Sequence, residues 1–223
     1  DHAVLKQGEQ LYILITGNDD NYLALFSCKP DGQRTGFYEI QNESDIPAND
    51  PHLVSDGDSI CARWGDSGYE KRVLCFDTDL NPLTSVKTVE TPSPVPQLGT
   101  TLFVESEYWS FTGAPSQRDL IYTRYDKEWT PLSPFDVTIL RSENFEWNWF
   151  PSGVVRMEEK DLWIIAYTNM HADDWDEPRG RLALFDGQFD LLEYHVISAQ
   201  KTYRPHLMVS GDKVFVSFDA GPV

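Results

Sequence analysis

Three histidines occupy equivalent places in the sequence, each just before an apolar, strand-like stretch. They are His2, which follows an aspartate, and His52 and His206, which follow prolines. Neutral imidazoles on neighbouring strands can ligate a divalent metal ion, and a single imidazole can act as a general acid or base near neutral pH. Packing between structural repeats explains the same residues, because most repeat-encoded residues are structural. Metal or acid–base chemistry at these three histidines and a purely structural role are therefore both open.

Carboxylates near these histidines indicate hydrolytic chemistry. Asp50 directly precedes Pro51 and His52, and Glu105, Glu107 and Glu146 are candidate partners for it. Two carboxylates that flank a glycosidic bond, roughly 5–10 Å apart, can serve as the acid and the base of its hydrolysis. The predicted catalytic residues are Asp50, His52, His206 and Glu105.

Aromatic side chains next to amides and carboxylates are typical of sugar sites, since rings stack on sugar C–H faces while polar groups bind hydroxyls. The segment 145–150 has four aromatic residues in six positions. Packing of these rings between structural units is the alternative. The residues predicted to contact a ligand are Arg63, Trp64, Trp109, Trp147, Asn148, Trp149, His171, Trp175 and Arg204.

The segment 171–178 carries four carboxylates and is predicted to be a long loop. Oxygen ligands at this density suit Ca²⁺ or another divalent metal, although the spacing differs from that of an EF-hand. Solvated loop tips are commonly charged, so a plain surface loop is the alternative. The candidate ligands are Asp173, Asp174 and Asp176.

Two sequence signatures recur in phase, at intervals of about 50 residues. Pro-His, an apolar pair and then Gly-Asp occur at 51–58 and 205–212, within units that start near residues 2, 52, 97, 152 and 206. An aromatic residue, an aspartate that can hydrogen-bond its own turn and a hydrophobic restart occur at 76–83, 125–132 and 185–192.

Each unit contains four short strands, called a to d here, and helical periodicity is almost absent. This pattern predicts an all-β protein, a single β-propeller domain over residues 1–223, with about five four-stranded blades of which the last is incomplete. A stacked β-sandwich is the alternative. In a propeller, strand a lines the central channel, and the d-to-a and b-to-c connections lie on one face. We therefore expect the candidate residues at the channel mouth on that face.

Charge and hydropathy exclude several classes of function. The chain has 36 acidic and 18 basic residues and a net charge of −18, which argues against binding to nucleic acid or to anionic membrane surfaces. No run approaches the roughly 18 apolar residues that a membrane span needs.

Cys61 and Cys75 would lie opposite each other in a hairpin that turns around Gly68. Facing cysteines of this kind can form a disulfide. We favour the alternative, in which both cysteines are small apolar core residues without a bridge. Cys28 would remain a lone thiol.

The run Asn49-Asp50-Pro51-His52-Leu53-Val54 with Asp56-Gly57-Asp58 resembles the Asp-Pro strand of five-bladed glycoside hydrolases, the arabinanase, xylosidase and levanase-like enzymes. In that family the aspartate is a catalytic carboxylate, so the resemblance implies a base or nucleophile role for Asp50. Arg204-Pro205-His206-Leu207 resembles the repeat starts of sialidase-repeat propellers, which include polysaccharide lyases that use histidine.

We therefore expect an extracytoplasmic propeller that either binds a carbohydrate or another small polar ligand without chemistry, or processes a carbohydrate as a glycoside hydrolase or a polysaccharide lyase. A non-catalytic propeller that serves as a ligand- or protein-binding scaffold is the alternative.

Overall fold

The computed structural model describes residues 2–17, 22–41, 48–65, 70–91, 99–113, 119–134, 136–141, 146–171, 174–198, 201–210 and 213–220. These residues form four four-stranded antiparallel sheets and one two-stranded sheet, each built from strands consecutive in the chain. The predicted fold class is confirmed, because the protein is an all-β propeller with four four-stranded blades and an incomplete fifth blade. No helix in the described part of the chain is long and apolar enough to cross a membrane.

The blades follow one another along the chain, with strand order a-b-c-d in each of the first four. Blade 1 contains β1 (His2–Gln7), β2 (Gln10–Thr16), β3 (Leu23–Cys28) and β4 (Arg34–Glu39). Blade 2 contains β5 (Asn49–Ser55), β6 (Ile60–Gly65), β7 (Lys71–Phe76) and β8 (Lys87–Val89). Blade 3 contains β9 (Thr101–Val104), β10 (Glu107–Gly113), β11 (Leu120–Tyr125) and β12 (Val137–Leu140).

Blade 4 contains β13 (Glu146–Met157), a short 3₁₀ helix (Glu158–Lys160), β14 (Leu162–His171), β15 (Asp174–Asp186) and β16 (Leu191–Val196). The fifth blade contains β17 (Thr202–Ser210) and β18 (Lys213–Ala220). The chain divides into two compact units, Asp1–Trp109 with Tyr125–Leu132 and Ser110–Arg124 with Ser133–Val223. That the whole chain is a single domain stays a prediction.

The predicted long loop at 171–178 is not a loop. Strands β14 and β15 form a hairpin in which His171 pairs with Asp174, and only residues 172–173 lie between the two strands. Backbone pairing therefore continues into a segment whose charge alone suggested a solvated loop.

Strand β6 shows how one strand serves two blade interfaces. Side chains alternate between the faces of a strand, so Ile60, Ala62 and Trp64 pack in the cluster that includes Tyr12 of blade 1. Cys61 packs on the other face, in a cluster with residues of blade 3. A strand buried on both faces carries apolar residues on both, which explains why β6 is apolar throughout apart from Arg63.

Cys61 and Cys75 are directly opposite each other on β6 and β7 and form a disulfide. The interpretation of two unbridged core cysteines is therefore wrong. The sequence placed the two residues correctly in register, but the choice between thiols and a disulfide depends on how the strands bring the two sulfur atoms together. Cys28 is a free thiol.

The turns between strands c and d have a common geometry in blades 2, 3 and 4. In the turn of blade 2, Asp77 Oδ1 accepts hydrogen bonds from the backbone N–H groups of Asp79 and Asn81, at 3.0 and 2.8 Å. Asp126 and Asp186 accept the corresponding pairs of hydrogen bonds at 2.8–3.0 Å. The prediction that these aspartates hydrogen-bond their own turns is confirmed.

The fourth residue of each of these turns adopts a left-handed backbone conformation. Its φ is 66° at Leu80, 62° at Trp129 and 64° at Phe189, and the matching turn of blade 1 has Gly32 at 87°. Each large side chain then packs between blades. Leu80 packs with Tyr12 of blade 1, Trp129 packs in a cluster with residues of blade 2, and the Phe189 ring lies 5.0 Å from the Tyr122 ring of blade 3. Within their own blades, Trp129 stacks on Tyr108 with ring centroids 4.2 Å apart, and Phe189 stacks on Trp163 at 4.9 Å.

We predict that Asp186→Ala lowers the free energy of unfolding by about 1–2 kcal/mol, because two backbone N–H groups lose their acceptor. Asp190→Ala is the matched control, since it removes a carboxylate from the same turn and is expected to change stability by less than about 0.5 kcal/mol. Urea unfolding of both variants measures the difference. Equal effects of the two substitutions would show that the turn does not depend on the Asp186 carboxylate.

Candidate functional site

The candidate residues belong mainly to one end of the blades, called here the mouth end, where strand a begins, strand b ends and strand c begins. In blade 2 this end is marked by a row of three paired residues, Asn49 on β5, Gly65 on β6 and Lys71 on β7. The hairpin turn between strands a and b lies at the other end, called here the base end.

Asp50 lies in a β-bulge at the mouth end of blade 2. Asn49 pairs with Gly65 and His52 pairs with Arg63, so Asp50 and Pro51 together face Trp64 alone. The φ of Asp50 is 45°, a left-handed conformation that costs a residue other than glycine about 1–3 kcal/mol. Strain of this kind persists where the surrounding structure enforces it, and it is frequent in functional sites.

The fifth blade repeats this bulge at its own Pro-His motif. Tyr203 pairs with Asp219 and His206 pairs with Ser217, and Arg204 has a φ of 45°. The Arg204 backbone N–H donates to Thr168 Oγ1 at 3.1 Å. Ser152 Oγ donates to the Pro205 carbonyl at 2.7 Å, so side chains of blade 4 hold the bulge. Asp50 and Arg204 therefore occupy equivalent positions in two blades.

Lys71, a buried residue that the sequence did not single out, lies in the same row of blade 2 as Asn49. Lys71 is 1% exposed. A Cβ atom on Gly65 would lie 2.9 Å from Asn49 Oδ1 and 3.0 Å from Lys71 Nζ, so the glycine leaves the space in which these two atoms approach each other. Lys71 is preceded by a glutamate and followed by an arginine, and such a charged stretch reads as a solvated strand end. Only the packing reveals a buried lysine in the row that contains Asn49, the residue before Asp50.

Arg63 and Trp64 support the site from within the blades. Arg63 is 1% exposed, its Nη1 donates a hydrogen bond to Thr101 Oγ1, and its guanidinium carbon lies 4.9 Å from the centre of the Trp129 ring. Burial lowers the pKa of Arg63 to about 10, so the side chain remains cationic near neutral pH. Trp64 is fully buried in the core of blades 1 and 2. This burial favours a positioning role over direct ligand contact for both residues.

Asn148 is paired across the sheet with Asn169, a residue that the sequence did not single out. The two lie opposite each other on β13 and β14, and Asn169 Nδ2 donates to Asn148 Oδ1 at 2.9 Å. Both are almost completely buried. No feature of the sequence around Asn169 distinguishes it from any other strand residue, and only the register reveals the pair.

Glu105 does not lie in strand b of blade 3, as the sequence predicted, so the structure does not support its predicted pairing with Asp50. Glu105 and Ser106 have φ values of 50° and 75° and form the turn between β9 and β10, at the base end of blade 3. The sequence placed the start of this blade near residue 97, whereas β9 begins at Thr101, so Glu105 falls in the turn rather than in strand b. Trp109 lies close to the same turn, as the third residue of β10, and not at the mouth-side end of the strand that the sequence predicted.

Two of the predicted histidines have exposed side chains. His2 is exposed on β1 and pairs with Ile15, and His206 is exposed on β17. Within the described residues, no group of three or more His, Cys, Asp or Glu side chains is placed to hold a metal ion. The structure thus gives no support to a metal site at His2, His52 and His206.

Several candidates lie outside the side chains that the structure describes. They are Glu146, Trp147, Trp149, His171, Asp173, Asp174, Trp175 and Asp176. Their roles as sugar contacts, as a catalytic partner or as cation ligands stay predictions.

No family model and no curated protein matches the sequence. Similar solved structures include an exo-β-1,3-galactanase from Clostridium thermocellum, with a TM-score of 0.69 and 9% identity over 97% of this chain and 53% of that one. Another is the GH62 α-L-arabinofuranosidase catalytic domain of Coprinopsis cinerea, with a TM-score of 0.63 and 10% identity over 99% of this chain and 83% of that one. A GH43 endo-arabinanase from Bacillus licheniformis has a TM-score of 0.51 and 14% identity over 85% of this chain and 75% of that one.

The fold is that of an arabinanase-like β-propeller. This chain spans about half the length of several of these proteins, from 45% to 53% of four of them. At identities of 9–14% the likeness concerns the fold, and the chemistry has to be argued from this chain's own residues.

Proposed function

We propose that this chain is a carbohydrate-processing propeller that acts at the mouth end of its blades, with Asp50 as a catalytic carboxylate of glycoside hydrolysis. The observation that supports this most directly is the strained Asp50 bulge at the start of strand a in blade 2, in a fold shared with GH43 and GH62 proteins. A bulge at the edge of a sheet re-aims a side chain, and a left-handed aspartate before a proline is costly without a function.

In this proposal Asp50 is the base or the nucleophile, and a second carboxylate supplies the proton to the leaving oxygen. His52 and His206 each follow one of the two equivalent bulges, and the proposal gives each of them, in its own blade, the role of binding hydroxyl groups or transferring a proton. Arg204 is exposed and takes the role of a ligand contact.

The net charge of −18 favours an uncharged glycan over a polyuronate. A strongly acidic protein repels an anionic polymer at long range, whereas a neutral polysaccharide approaches it without that cost. Since a polysaccharide lyase acts on uronates, the charge favours hydrolysis over the lyase reaction.

The test is turnover of a panel of arabinan, galactan, xyloglucan and polygalacturonate by the wild-type protein and by Asp50→Asn. We expect turnover of at least one neutral glycan, and a decrease of about 10²–10⁴-fold in kcat for Asp50→Asn, because the variant keeps the shape of the side chain and loses its charge. Reducing-end assays measure the turnover, and calorimetry measures the retained binding.

Asp58→Asn is the matched control, since it makes the same chemical change in the same blade but in the turn at the base end. Its turnover is expected to equal that of the wild type. Turnover that survives Asp50→Asn, or that falls equally in both variants, would reject Asp50 as a catalytic residue.

A non-catalytic carbohydrate-binding propeller is the second candidate. Arg204 occupies in the fifth blade the same bulge that Asp50 occupies in blade 2. A bulge that holds an arginine in one blade and an aspartate in another need not serve acid–base chemistry, and this favours the second candidate. Glycan binding by calorimetry, with no turnover of any of the glycans, would favour this candidate.

We also propose that the protein works outside the cytoplasm. The buried Cys61–Cys75 disulfide supports this location, since structural disulfides form and persist mainly in oxidising compartments.

A further inference from the structure

The outermost strand of blade 4 has a free edge among the residues that the structure describes. In the order β13-β14-β15-β16, strand β16 pairs there with β15 alone. It is six residues long, whereas the outer strands of blades 2 and 3, β8 and β12, have three and four residues. Short outer strands are a common protection against edge-to-edge pairing, and β16 does not have it.

The side chains of β16 are unusually apolar for an exposed strand. All six residues are exposed, and Leu191, Leu192, Tyr194 and Val196 are each between 43% and 56% exposed. The register places Tyr194 opposite Ala183 and Val196 opposite Arg181. The Arg181 guanidinium carbon lies 5.6 Å from the centre of the Tyr194 ring. Four exposed apolar residues on one free edge suggest a surface that another strand covers.

The sequence of β16 is complementary to itself in the antiparallel direction. If two copies pair around a two-fold axis at Tyr194, then Glu193 of each copy lies opposite His195 of the other. Leu192 of each copy then lies opposite Val196 of the other, and the two Tyr194 residues face each other on the axis. Within one copy, Glu193 Oε1 and His195 Nε2 are already 3.1 Å apart, and both side chains are 59% exposed. Paired copies therefore gain two acid–imidazole contacts and a continuous apolar strip.

We propose that β16 is the interface of a symmetric homodimer in which two copies of this chain join their fourth blades into one eight-stranded antiparallel sheet. The free backbone groups of one edge hydrogen-bond those of the other, and the two-fold axis passes through Tyr194. A two-fold interface is self-complementary by symmetry, and the β16 sequence meets this requirement. Two chains with a net charge of −18 repel each other, so association is expected to strengthen as salt rises to about 0.5 M.

Site-directed cross-linking tests the register directly, in a Cys28→Ser background that removes the free thiol. Directly opposite residues have Cβ atoms about 4.5–5.5 Å apart, so Tyr194→Cys should give a covalent dimer under mild oxidation. Val196→Cys is the matched control, because Val196 is similarly exposed on the same strand. In the proposed register, residue 196 of one copy lies about four residues along the strand from residue 196 of the other copy, too far for a disulfide. A mixture of Val196→Cys and Leu192→Cys should form a cross-linked heterodimer, whereas Val196→Cys alone should not.

Sedimentation of the unmodified protein gives an independent measurement. We expect a dimer fraction that rises with protein concentration, and an increase of at least about tenfold in the dimer Kd for Tyr194→Lys. A chain that stays monomeric at every concentration, or equal cross-linking of Tyr194→Cys and Val196→Cys, would overturn the proposal. Strand β4 is the other six-residue outer strand, with Phe37 46% exposed. A dimer abolished by Phe37→Lys and unaffected by Tyr194→Lys would assign the interface to β4 and would also overturn it.

Discussion

Replacing Trp129 with alanine is expected to lower the free energy of unfolding by about 3–5 kcal/mol. The indole ring is 5% exposed and stacks on Tyr108 at 4.2 Å with an interplanar angle of 9°. It also lies under the buried guanidinium of Arg63 and beside Tyr125, at 5.8 Å between ring centroids. The substitution therefore creates a cavity between blades 2 and 3, and it removes the ring that stabilises a buried cation. Urea unfolding followed by circular dichroism measures the change.

Two further variants show whether this loss comes from the ring itself. Trp129→Phe keeps an aromatic ring at the same place and is expected to cost about 1 kcal/mol, in the range of conservative core substitutions. Glu128→Ala changes the preceding, exposed residue of the same turn and is expected to have an effect below about 0.5 kcal/mol. If Trp129→Ala cost no more than Glu128→Ala, the packing of the turn residue between blades would not contribute to stability.

Removal of the disulfide is the second large expected effect. Cys61→Ala with Cys75→Ala should lower the free energy of unfolding by about 3 kcal/mol, because the unfolded chain gains the freedom of a loop whose ends are 14 residues apart. Both cysteines are buried between blades 2 and 3, so the removed sulfur atoms also leave packing defects. The wild-type protein unfolded in the presence of a reductant should approach the stability of the double variant.

Cys28→Ala is the matched control for this experiment. Cys28 is a free thiol at the end of β3, and its removal is expected to change stability by less than about 1 kcal/mol. Identical unfolding of the wild type with and without reductant, together with a double variant no less stable than Cys28→Ala, would contradict the proposed contribution of the disulfide.

Features that depend on short-range patterns could be predicted from the sequence. The aspartates at 77, 126 and 186 hydrogen-bond their own turns because an aspartate side chain reaches backbone N–H groups two to four residues further on. The all-β class and the four-stranded blades follow from strand-length apolar segments between such turns. The pairing of Cys61 opposite Cys75 also follows, since the register of a hairpin depends on the position of its turn.

Features that depend on which blade covers which face could not be predicted. Arg63 and Trp64 were predicted to contact a ligand, but packing against blade 3 buries Arg63 and packing against blade 1 buries Trp64. Lys71 lies in a charged stretch that predicts a solvated strand end, yet it is buried as well. A shift of four residues in the start of β9 moved Glu105 from a strand into a turn at the opposite end of the blade. Each of these outcomes is decided by contacts between residues far apart in the sequence, which no local pattern contains.

The shared turn between strands c and d has a consequence for how such a chain can diversify. In blades 2, 3 and 4 the aspartate at its first position holds the backbone path by hydrogen bonds, while the left-handed fourth position accepts leucine, tryptophan or phenylalanine. The backbone conformation of the turn and the packing between blades thus depend on different residues. A single substitution at the fourth position can therefore change the packing between two adjoining blades without altering the backbone of either. A duplicated blade could therefore be fitted to a new neighbour by tuning one side chain, and the same property makes the fourth position a natural place to begin redesigning the order of blades in this protein.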